Sequence, residues 1–102
     1  MLWNCTETAL RELLPEVLGE FLKRNPGACM CPRCVEDALA LALNNLPPRY
    51  AATEEGVVLV RAELGQPPEK ALLVAALLNA LQQVATNPRH ERGREPWFPT
   101  CR

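Results

Sequence analysis

The chain has 102 residues, 48% of them hydrophobic and 23% charged, with eleven Lys+Arg against twelve Asp+Glu for a formal charge of −1. That length fits one domain around a modest core and excludes large catalytic architectures, while the apolar content excludes an intrinsically disordered segment. The near-balanced charge supplies no field to draw the chain to DNA, RNA or an anionic membrane, and no apolar run approaches the ~20 residues of a spanning helix.

Residues 1 to 7 lack the basic and hydrophobic regions of a secretory signal, so a cytoplasmic location is expected. Residues 4 to 24 read as an amphipathic helix: Leu10, Leu13, Leu14, Val17, Leu18, Phe21 and Leu22 follow the i, i+3, i+4 pattern, with glutamates on the other faces. Asn4 is placed to cap it, and Glu7 three residues later completes a box-like signature. Pro15 removes one helical hydrogen bond and predicts a kink. Asn25-Pro26-Gly27 ends the segment by turn chemistry.

Pro32 suits the first turn of a second helix, in which Val35, Ala38, Leu39, Ala42, Leu43 and Leu46 keep helical spacing. Its small, nearly all-apolar surface predicts a place in the middle of the domain, and Pro47-Pro48 must stop it. Residues 54–64 carry two competing signals. Val57-Val58-Leu59-Val60 has the β-branched content of a strand, whereas Thr53 can cap a helix bearing Val57, Val60 and Leu64 on one side. With no second strand to pair with, helix is the better reading. Gln66-Pro67-Pro68 breaks the chain, and Ala71, Leu72, Ala75, Leu78, Leu81, Gln82 and Ala85 define a last helix. The expected fold is an all-α compact bundle of about four helices. From Asn87 onward three prolines and four arginines read as a tail that includes Trp97-Phe98.

The five cysteines are unevenly placed: Cys29, Cys31 and Cys34 fall within six residues, while Cys5 and Cys101 sit near the ends. An odd count of clustered thiols in a cytosolic chain points to metal or redox chemistry, not to a disulfide scaffold. Three soft ligands on a turn leading into a helix suit a tetrahedral zinc site, where the helix dipole would lower a thiol pKa. A fourth donor must come from elsewhere. His90, the single histidine, follows the last helix and ranks first, with Cys101 and Cys5 as alternatives. A closed site of this kind is structural, because no position remains for an activated water.

Cys31-Pro32-Arg33-Cys34 also has the C-P-x-C form of a thiol oxidoreductase, but such motifs follow a strand in a βαβ setting and none precedes it. There is no phosphate-cradling glycine loop and no triad-like motif around the single histidine. Glu36 and Asp37 project in different directions and are better placed to complement a helix N-terminus than to form a catalytic pair. Asn4-Cys5-Thr6 matches a glycosylation sequon but reads as helix-start chemistry.

The run from Cys29 to Tyr50, with its pattern C-x-C-x-x-C-x-x-D-x-x-A-L-A-L-N-x-L-P-P-x-Y, closely resembles the late competence development protein ComFB family. Asn4 with Glu7, Thr53-Glu54-Glu55-Gly56 and Asn87-Pro88-Arg89-His90 look like further landmarks, so the likeness spans residues 4 to 90 and omits the tail. The chain accordingly divides into a zinc-binding helical domain, 1–90, and a Pro/Arg-rich tail, 91–102. The resemblance implies a small cytoplasmic helical protein, homodimeric, that holds Zn2+ through Cys29, Cys31 and Cys34, with His90 where the remaining ligand falls; a closed structural site and the lack of catalytic motifs lead to the expectation that it is not an enzyme. The resemblance also implies two roles: a receptor for cyclic di-GMP, or an adaptor that docks a protein partner in a competence-related pathway. A cyclic dinucleotide needs cations for two phosphates, bidentate donors for guanine edges and flat stacking surfaces. Arg33, Arg49, Tyr50, Arg61 and Arg89 are the residues that can supply them, although Arg49-Tyr50 after the double proline is equally suited to a corner packed on the core. A two-fold ligand matches the groove of a symmetric dimer, and the apolar surplus on the first and last helices motivates that dimer.

Overall fold

A computed structural model of the chain describes residues 2–86; Arg89, His90, Cys101 and the tail 91–102 lie outside the described residues. Four helices carry the architecture. In chain order the elements are β1 (Trp3–Asn4), α1 (Cys5–Arg24), α2 (Pro32–Asn44), β2 (Tyr50–Ala51), α3 (Glu54–Leu64) and α4 (Pro67–Thr86).

The start of α1 follows from Asn4, whose extended backbone and side chain supply the cap: Oδ1 accepts from the Thr6 N–H at 3.2 Å. Glu7 does not reach back to complete the box. Its carboxylate instead accepts from Arg11 Nε at 3.1 Å, one turn further on, where a cation is the stronger partner. Pro15 lies inside α1, and the helix continues on both sides of it. Thr53 resolves the ambiguity of residues 54–64 in favour of helix, since its hydroxyl accepts from the Gly56 N–H at 3.0 Å and α3 begins at once. Gly56 suits the close approach there: a Cβ would stand 3.1 Å from Thr53 Oγ1 and 3.3 Å from the Ala51 Cβ, so these neighbours would have to give by a few tenths of an ångström to admit one.

Two features differ from the sequence reading. The break before α4 is present but falls at Gly65–Gln66, and Pro67 and Pro68 are the first two residues of α4, where a proline sacrifices no helical hydrogen bond. A two-stranded antiparallel bridge also exists, pairing Trp3 with Ala51 and Asn4 with Tyr50. The bridge continues into α1, because the Cys5 N–H donates to the Arg49 carbonyl at 2.7 Å and the Thr6 hydroxyl donates to the Pro47 carbonyl at 3.1 Å. The double-proline corner is thereby stitched to the start of α1. Thr6 is buried, so Thr6→Val, which keeps the shape and leaves the Pro47 carbonyl unpaired, is expected to lower unfolding free energy by about 1–2 kcal/mol. An unchanged urea midpoint would show that the hydroxyl is dispensable.

α4, and not α2 as composition suggests, is the central helix: α1 and α2 both pack on it, while α2 buries one face and leaves Glu36, Ala40 and Asn44 exposed. Ala38 and Ala42 are fully buried and Leu39 nearly so, which lets α2 pack closely on α4, where Leu73, Leu77, Ala80, Leu81 and Val84 face inward. α1 covers the same core with Leu10, Val17 and Phe21. Thr6 shares a small cavity with Glu69 and Leu73, while Phe21 and Arg24 share a groove with Gln82, so α1 and α4 run side by side in the same sense. Among the described residues no helix is long and apolar enough to cross a membrane.

Candidate metal centre

Turn chemistry builds the site. After α1 the Ala28 N–H donates to the Asn25 carbonyl at 3.0 Å, and the chain enters α2 at Pro32, with Cys31 in extended geometry as its N-cap. Cys29 and Cys31 therefore sit on the turn and Cys34 in the first turn of the helix. Their three sulfurs lie within 4.8 Å of one another, and Cys29 and Cys34 Sγ are 3.8 Å apart. Two thiolates, each about 2.3 Å from a tetrahedral zinc, are themselves about 3.8 Å apart, so the spacing fits such an ion. Cys34 is fully buried and the other two half-buried.

Cys5, Cys31 and Cys34 carry thiols, whereas Cys29 is disulfide-bonded, so coordination by all three sulfurs of the cluster starts from reduced protein. Cys31 and Cys34 are not oxidised to each other, although their C-P-x-C spacing is that of a redox pair.

The expected lowering of a thiol pKa by the helix dipole is reversed at Cys34. Burial pushes this thiol up from 9.0 to about 11, and the Cys31 sulfur and the Asp37 carboxylate act in the same direction. Desolvation outweighs the dipole because the sulfur has no contact with water. Cys34 is therefore protonated at neutral pH and must release that proton to bind a cation. Metal affinity should fall as pH is lowered, tenfold per unit for each thiol that yields a proton. In weakly buffered, reduced solution at pH 7.5, zinc addition is expected to liberate at least one proton per ion, and a pH-independent affinity would exclude thiolate ligation.

The carboxylates of α2 also differ from expectation. Neither Glu36 nor Asp37 lies in the first turn. Glu36 reaches Arg11 of α1 at 3.8 Å on the surface, and Asp37 faces Arg33 at 3.8 Å. Asp37 Oδ2 is buried and accepts no hydrogen bond from the described residues. Only the i, i+3 spacing from Cys34 could have signalled this in the sequence.

The other candidate residues are dispersed. Arg33 is at the start of α2 and Arg49 beyond its end, separated by a thirteen-residue helix, or about 20 Å. Arg49 stands 3.9 Å from Glu63 and 3.6 Å from Glu69, bracing the proline corner against α3 and α4, and Tyr50 is exposed. Arg61 pairs with Glu12 at 2.7 Å. His90, Arg89 and Cys101 lie outside the described residues, while Cys5, an alternative fourth donor, is buried at the start of α1 and is not a member of the sulfur cluster.

The sequence profile of the late competence development protein ComFB family matches residues 3–88, a span that holds every described element and all three clustered cysteines. The chain belongs to the ComFB family. Competence protein ComFB of Bacillus subtilis (strain 168) is 28% identical over 88 residues, covering 86% of each chain. The solved structure of the late competence protein ComFB from Bacillus subtilis superimposes with a TM-score of 0.71 at 28% identity, over 86% of this chain and 94% of that one. The ComFB profile stops at residue 88, so the Trp97-Phe98 segment falls beyond what the family shares with this chain.

Proposed function

We propose that this ComFB-family chain is a zinc-stapled regulatory protein, not a catalyst, that works as a homodimer in a reducing cytoplasm. The observation that carries this reading is the spacing of the Cys29, Cys31 and Cys34 sulfurs. Zinc held there would be a structural ion that ties the turn after α1 to α2, with a fourth donor, His90 by rank, bringing in the chain beyond α4. A four-ligand site activates no water, and a Cys34 thiol raised to about 11 is a poor nucleophile at neutral pH.

The dimer reading is supported by a groove of ≈ 440 Å³ between α1 and α4, with Leu13, Val17, Phe21, Val74 and Leu78 along it. A second copy is the occupant proposed for this face, whose apolar residues lie among Glu16, Glu20, Arg24 and Lys70, charges of both signs that a two-fold copy could pair. Light scattering on the reduced, zinc-loaded protein should give twice the chain mass at micromolar concentration; a monomer would remove the dimer.

Cyclic di-GMP is the ligand to test first. Arg33 and Arg49 of one chain are too far apart to hold it together, so a receptor would take it at Arg49-Tyr50 corners contributed by two subunits. Titration calorimetry with cyclic di-GMP, showing heat that Arg49→Ala abolishes, supports the receptor. Absence of heat at 100-fold excess over protein favours the adaptor, a reading that the exposed Val58, Leu59 and Leu72 support.

A further inference from the structure

We propose that the outer face of α3 docks a partner helix whose side chains are apolar at its middle and basic at both ends. The inference rests on the adaptor reading and names the chemistry of the partner. It starts from the Val57-Val58-Leu59-Val60 run, which the fold uses only in part. Val57 and Val60 turn half-buried toward the core, whereas Val58 and Leu59 are 66% and 67% exposed. Residues four apart share a helix face, so Glu54, Val58 and Ala62 form one outward row and Glu55, Leu59 and Glu63 the row beside it. An apolar centre of Val58, Leu59 and Ala62 thus lies between Glu54 and Glu55 at one end and Glu63 at the other, and all of these residues are exposed.

Helix stability does not explain this face. Valine is a poor helix former, so an exposed position is better served by lysine or glutamine. Glu54 and Glu55 suit the first turn, but Glu63 stands in the last turn, where an acid opposes the macrodipole; Arg49 Nη1 approaches it at 3.9 Å. The two rows contain no basic residue. Arg61, the single cation of α3, is turned toward α1, where it holds Glu12 at 2.7 Å. This charge pattern decides the occupant. A second copy pairing α3 with α3 would set glutamate beside glutamate in either direction, and like charges in contact repel. A helix with leucine or valine at its middle and lysine or arginine at its ends covers the apolar pair and matches the acids. α3 has 11 residues and is about 16 Å long, so about three turns of partner helix span it.

The probe is a synthetic helical peptide of about fourteen residues with leucines at its middle and lysines at both ends; its companion replaces each lysine by glutamate. Binding to the full chain is read by fluorescence anisotropy at low salt. The lysine peptide is expected to bind with a Kd of about 10–100 μM, as suits so small a contact, and about tenfold or more tighter than the glutamate peptide. Val58→Gln combined with Leu59→Gln should weaken it by about tenfold or more, while the melt and the mass by light scattering stay as in wild type, because both side chains face solvent. Glu55→Gln combined with Glu63→Gln should weaken it about threefold and flatten its dependence on salt. Equal affinity for the two peptides, lost in the Val58 and Leu59 double variant, would leave the adaptor reading standing and overturn the basic partner. Binding unchanged in that variant, no binding of either peptide at about 1 mM, or a dimer that the variant dissociates would overturn the docking face itself.

Discussion

Cys31→Ser, examined in reduced protein supplied with zinc, is expected to abolish stoichiometric metal binding and to lower Tm by at least about 15 °C. The size follows from two magnitudes. A structural zinc site contributes of order 10 kcal/mol to a small domain, because the site does not exist in the unfolded chain. A domain of this length has only about 5–15 kcal/mol of net stability. Losing even about 3 kcal/mol would shift Tm by about 15 °C at this size. The effect should spread beyond the turn: Cys34 is in the first turn of α2, and Ala38, Leu39 and Ala42 of the same helix lie in the core. Cys5→Ala is the control. Cys5 is more deeply buried than Cys31 but stands apart from the three-sulfur cluster, so the variant should keep its zinc and lose only packing. Zinc uptake by Cys31→Ser at wild-type affinity would show that the cluster does not ligate.

Leu77→Ala carries the second large effect. Leu77 is fully buried at the middle of α4, the helix against which both α1 and α2 pack. Truncation removes transfer free energy and leaves a cavity in close-packed surroundings, at about 2–5 kcal/mol, or a Tm lower by roughly 10–25 °C. Leu72, on the same helix but 59% exposed, should tolerate alanine within about 0.5 kcal/mol. The two substitutions delete the same atoms, so the difference between their urea midpoints isolates burial. Similar losses at both positions would mean that the outer face of α4 is covered in solution, as the dimer requires if it extends that far.

The helices were legible because their signals are local. Heptad-like leucines mark α1 and α4, and a threonine three residues before Gly56 decides α3 against its own β-branched run. The sulfur cluster was legible for the same reason, since six residues of turn and helix start confine all three sulfurs. What escaped depends on distant partners. The bridge between Trp3–Asn4 and Tyr50–Ala51 is too short to show alternation and exists because the Arg49 carbonyl accepts from Cys5 across the fold. Pro67 and Pro68 read as a break because a proline pair signals both a stop and a start, and only the following helix tells which. The raised thiol of Cys34 and the shielded oxygen of Asp37 come from burial, which periodicity places on a face but does not measure.

The most direct measurement on the central claim is X-ray absorption at the zinc edge of reduced, zinc-reconstituted protein. The account predicts one ion per chain with three sulfurs at about 2.3 Å and one lighter donor at about 2.0 Å. A protein that retains its helices and cooperative melt with no bound zinc, or a metal shell of oxygen and nitrogen without sulfur, would contradict it.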